Sequence, residues 1–114
     1  EFGSAKDTSL AHAIRSTRSV GQLFLALSPR LEFRLHRASI GSGIELPAFA
    51  ARVVAHPNTF IQLPEITLGL IPGAGGTVSS PRRIGRHRMA YLALSARRIN
   101  ARTALDWGLV DALE

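Results

Sequence analysis

The 114-residue chain predicts an α/β fold built from short strands and helices joined by crossover connections. Three observations carry that expectation. Apolar residues recur at helical spacing near the start, at Leu10, Ala13, Ile14, Thr17, Val20, Phe24 and Leu27. Strict alternation follows, with Leu31, Phe33 and Leu35 on one side and Glu32, Arg34 and His36 on the other. Beyond it, pieces of strand and helix alternate between glycine- and proline-rich turns.

Asp7, Thr8 and Ser9 are cap candidates for a helix predicted over about Ser9 to Leu27, closed by Ser28-Pro29. The alternating segment predicts a strand with one buried face. Ala38-Ser39-Ile40-Gly41-Ser42-Gly43 reads as a small-residue turn, and a short apolar helix is expected from about Ile44 to Ala51. Val53 to Ala55 and Thr59 to Gln62 read as short strands around a His56-Pro57-Asn58 turn. Pro72 to Gly76 is a loop leading into a helix near Thr77, and a second helical run spans Arg88 to Ala96. Asn100 caps a third helix that ends at Gly108, and Leu109-Val110 reads as a last strand.

No repeat of fixed period and no internal linker interrupts this order. Glu1 to Ser4 matches two adjacent restriction sites read in frame and is set aside as a cloning scar, leaving one domain over 5–114. A sheet of three or four short strands has little to cover both its faces, so that domain is expected to be part of a larger one.

Two glutamates stand out, twenty positions apart in the most apolar and glycine-rich stretch of a chain with eight acids. A carboxylate in apolar surroundings costs free energy, and functional sites commonly carry that cost. Glu45 follows Gly41-Ser42-Gly43, where a strand-to-helix turn gathers unpaired N–H groups suited to a developing oxyanion. A tight turn with an acid in the first helical turn explains the same residues. Glu65 lies between Leu63-Pro64 and Ile66, Leu68, Leu70 and Ile71, so burial would tune it for acid–base work. A loop glutamate paired with an arginine explains that pattern too. Gly73-Ala74-Gly75-Gly76-Thr77 is neither a P-loop nor a dinucleotide fingerprint, and suits close backbone approach at a helix start.

Composition narrows the remaining classes. The absence of cysteine excludes disulfides and thiolate metal sites and suits a reducing, cytoplasmic setting. The four histidines lack metal-ligand spacing, so no metal is assigned. No apolar run approaches ~18 residues, so no membrane partner is expected. The net charge of +6 comes from thirteen arginines and one lysine. The arginines are dispersed and lack interleaved aromatics, apart from a cluster at Arg82, Arg83, Arg86 and Arg88, so a solvated face is favoured over nucleic-acid binding.

Taken together, Ala38 to Leu46, Leu63-Pro64-Glu65, Leu68-Gly69, Pro72 to Thr77, Pro81 to Gly85 and Ala101 to Asp111 resemble the crotonase (enoyl-CoA hydratase/isomerase) superfamily over about Arg30 to Leu113. The resemblance implies a partial crotonase-like spiral of ββα units. It implies an acyl-CoA thioester as substrate, with coenzyme A entering only as part of it and no separate cofactor. Ser42 matches the residue whose N–H polarises the thioester carbonyl. Glu45 and Glu65 match the pair that handles water and the α-proton. Gly41, Pro64, Leu70 and Gly73 match substrate-binding positions. A homo-oligomer, a trimer or hexamer, is expected. The family's upstream segment, which supplies a second oxyanion N–H, and its C-terminal helices have no counterpart here. A non-catalytic assembly module is therefore the alternative. Arg37 and Ser42 stand where glycine is common, and Ala51 replaces a frequent aspartate.

Overall fold

Three passes of the chain wind a spiral in the computed structural model, which describes residues 7–114. The expected cloning scar lies outside the described residues. Helices α1 (Thr8–Thr17) and α2 (Val20–Leu27) lead in. The first pass lays down β1 (Glu32–Leu35), β2 (Ala38–Ile40) and α3 (Ser42–Glu45). The second adds β3 (Arg52–Ala55), β4 (Phe60–Gln62) and α4 (Gly76–Ser95), and the third adds β5 (Ile99–Asn100), α5 (Ala101–Trp107) and β6 (Ala112–Leu113).

The strands form two small sheets, β1-β3-β6 and β2-β4-β5. All pairs are parallel except β4 with β5. Each of the first two passes gives one strand to each sheet, then a helix. The crossing between sheets falls at Arg37, whose φ of 56° is left-handed. That conformation explains why glycine suits the position. Asn58 Oδ1 accepts the Arg37 N–H at 3.3 Å, which holds the crossing in place.

The core lies between the sheets and the helices. Ile44, Val53, Ala55, Ile61, Leu63, Leu92, Ala104, Leu109 and Val110 are almost fully buried there. Arg83 braces the core from α4. Its guanidinium donates to Ala48 O at 2.9 Å and Ala50 O at 2.6 Å, and pairs with Asp111 at 3.1 Å. Asp111 in turn accepts the Val53 N–H at 2.7 Å.

Several elements depart from the sequence expectation, each for a local reason. The single helix over 9–27 is two helices. Ser19 turns extended and caps α2, its hydroxyl accepting the Gln22 N–H at 3.2 Å. On the alternating strand only Leu35 is fully buried, while Leu31 and Phe33 are half-buried. Part of the predicted 38–43 turn pairs with β4 as β2. The helix expected over 44–51 starts earlier, at Ser42, and gives way to a 3-10 turn over Pro47–Phe49. Proline lacks the N–H that would continue the α-helical ladder. Leu109 and Val110 are not a strand. Both N–H groups donate to Ala104 O in closing α5, so pairing begins only at Asp111 N, which donates to Val53 O. Strand β5 had no sequence signal of its own. The two runs expected over Thr77 to Ala96 are the two halves of α4, separated at Gly85, whose φ is 79°.

Candidate active site

The short helix α3 starts on Gly41, which has a φ of 53° and leaves β2 through a hydrogen bond to Gln62 O. Gly41 O accepts the N–H groups of both Ile44 and Glu45. This turn leaves Ser42 and Gly43 at the helix start, where backbone N–H groups have no intrahelical acceptor. It also carries Glu45 inward, to 2% exposure.

The Glu45 carboxylate is held by the backbone of the glycine-rich loop. Its Oε2 accepts from Ala74 N at 2.8 Å and from Gly76 N at 2.8 Å. A Cβ at Gly76 would sit 2.5 Å from Glu45 Cγ, so only glycine permits this approach. The Glu45 carbonyl accepts the Ser79 hydroxyl at 2.7 Å. The close backbone approach expected of the 73–77 stretch is thus directed at a side chain of the protein itself. Burial pushes the Glu45 carboxyl above its ordinary value; the Gly76 and Ala74 N–H groups oppose that, and the nearby Glu65 charge adds to it.

Glu65 opens a 3-10 turn over Glu65–Leu68 that ends on left-handed Gly69. Its Oε1 lies against Gly41, where a Cβ would come within 2.6 Å of it. Its Oε2 is buried and has no hydrogen-bond partner among the described residues. A buried, unpartnered carboxylate oxygen is costly and marks a position left open to a ligand or water.

Both glutamates line one cavity of about 780 Å³, together with Ser42, Leu70 and Gly73. Pro64 and Gly41 do not line it. Pro64 O accepts from Thr67, and Gly41 shapes the turn and backs Glu65. The cavity has a second wall that sequence reasoning missed. Arg18, Ser19, Val20 and Gly21 reach it through the break between α1 and α2. Gly21 lies under the Phe49 ring and Ala74 O, each 3.3 Å from where its Cβ would be. The readable signal was Ser19-Val20-Gly21, a cap followed by a glycine inside a continuous helical pattern. Among the described residues, no group of three or more His, Asp or Glu is placed to hold a metal ion.

Such a spiral of short strands and helices is the architecture of the crotonase fold. Residues 36–114 match the family model described as enoyl-CoA hydratase/isomerase. An enoyl-CoA hydratase structure from Thermoplasma volcanium is 34% identical with a TM-score of 0.82, over 96% of this chain and 45% of that one. An enoyl-CoA hydratase from Bacillus anthracis is 30% identical with a TM-score of 0.75, over 97% of this chain and 43% of that one. An enoyl-CoA hydratase/isomerase from Cupriavidus metallidurans is 26% identical with a TM-score of 0.79, over 91% and 40%. The chain belongs to the enoyl-CoA hydratase/isomerase family. It spans less than half the length of these relatives.

Proposed function

We propose that this chain carries the acid–base half of a site that adds water to, or isomerises, a 2-enoyl-CoA thioester. The observation that carries the reading is the placement of Glu45 and Glu65 on one cavity beside the start of α3. The Ser42 N–H polarises the thioester oxygen, so negative charge can develop there as an enolate forms. One carboxylate takes a proton from water as it adds at the β-carbon. The other delivers a proton to the α-carbon. A proton affinity raised above that of an ordinary carboxylate suits Glu45 to such transfers. Leu70 and Gly73 flank the thioester, and coenzyme A enters only as part of the substrate.

The test is loss of the conjugated-thioester absorbance of a 2-enoyl-CoA. Turnover that falls in both Glu45→Gln and Glu65→Gln supports the reading. Turnover unchanged in both would overturn it.

A second reading, a non-catalytic assembly module, is favoured by exposed apolar side chains. Leu10, Ile14, Leu23 and Leu25 on α1 and α2 are exposed, and so are Leu68 and Ile71 beside the cavity. Surfaces of this kind suit self-association, with a trimer or hexamer as the expected form. Turnover by this chain that is abolished in Glu65→Gln would exclude a purely structural role. Light scattering reports the assembly state.

A further inference from the structure

We infer that Arg18 selects a substrate whose acyl portion carries its own carboxylate. This rests on the thioester reading above and extends it to the class of acyl group. Arg18 lies at the break between α1 and α2, with its backbone outside helical geometry at φ −121° and ψ 30°. Its N–H is spent on Ile14 O, so the position of the residue is set by the end of α1. The side chain makes no ion pair or hydrogen bond with the described residues. Among the described residues it is the single cation lining a cavity that carries two carboxylates.

Among the described residues nothing else on that wall provides a full positive charge. Val20, Leu46, Leu70, Ile71 and Pro72 are apolar. The Ser19 hydroxyl is occupied in capping α2. Two carboxylates in one cavity repel an anionic acyl group unless a cation opposes them. Arg18 is exposed where it lines the cavity, and a guanidinium with no partner among the described residues is suited to bidentate capture of a carboxylate. The phosphates of coenzyme A sit at the far end of the long pantetheine arm. Arg18 lines the same cavity as Glu45 and Glu65, and in the thioester reading it is the acyl end that reaches those acids.

Isothermal titration of the protein with butyryl-CoA and glutaryl-CoA tests this. The two saturated thioesters are inert to hydration and differ by a terminal carboxylate. The expected result is tighter binding of glutaryl-CoA. Arg18→Gln should weaken glutaryl-CoA by about tenfold or more while changing butyryl-CoA by less than about threefold. Arg18→Lys should restore part of the loss. Equal losses for both thioesters would mean a phosphate contact and overturn the inference, as would no loss for either. Binding of neither thioester by the unaltered protein would overturn the thioester reading as well, which separates the two failures.

Discussion

Glu45 and Glu65 face the same cavity but are fixed by opposite means. Glu45 is gripped: two backbone N–H groups hold one carboxylate oxygen, a serine hydroxyl holds its carbonyl, and the residue is 2% exposed. Glu65 is merely backed by Gly41, and one of its oxygens is buried with no partner among the described residues. The difference teaches that one carboxylate is oriented by the fold itself. The other keeps hydrogen-bonding capacity for whatever enters.

The largest expected effect breaks the grip on Glu45. Gly76→Ala would drive a methyl group into Glu45 Cγ and displace the donor N–H, costing about 3 kcal/mol of stability in denaturant unfolding. The same substitution on the Glu65 side should cost less. Gly41→Ala meets only the tip of a side chain, which can swing away, and the left-handed φ adds a further penalty, giving about 2 kcal/mol in all. Equal losses at the two glycines would erase the contrast.

Ser42→Pro sharpens the comparison at the helix start that lies beside both acids. Ser42 is the first residue of α3, a position where proline is tolerated, so the change removes an N–H with little structural cost. Hydration should slow by about a hundredfold if that N–H polarises the thioester. Away from the cavity the effects are smaller. Arg83→Ala frees Ala48 O, Ala50 O and Asp111 together, and should cost about 2 kcal/mol in the same unfolding assay. Arg37→Gly relieves a left-handed backbone and should add about 0.5 kcal/mol.

Much of this site was legible because its chemistry is local in sequence. Glu45 sits three residues after Ser42, and the turn that exposes one buries the other. The glycines of the 73–77 stretch announced a close approach, but not that a glutamate from α3 would be what approached. That contact joins residues 31 positions apart and depends on how the second pass of the spiral stacks on the first. The α1–α2 break was hidden for a different reason. Val20, Phe24 and Leu27 keep the period of the preceding helix, so the apolar pattern ran straight through a cap. With the break went Arg18, which has no motif of its own. Arg83 was visible only in an arginine cluster and a family pattern, and Asp111 only in that pattern; the structure shows them bonded to each other.

The pH dependence follows from the gripped acid. Because the Glu45 carboxyl is raised, the folded protein keeps its proton where the unfolded chain has lost it. Its contribution to stability therefore declines as pH climbs from the ordinary carboxylate range through the raised value. Glu45→Gln should flatten that decline in unfolding measured across pH.

The most direct test of the shared cavity is carbon-13 NMR titration of the Glu45 carboxyl, with and without Glu65→Gln. The expected titration point lies above the ordinary 4.5 in the unaltered protein and falls once the neighbouring charge is removed. A Glu45 carboxyl that titrates at its ordinary value in both proteins would contradict the claim that burial and a second acid act on it together.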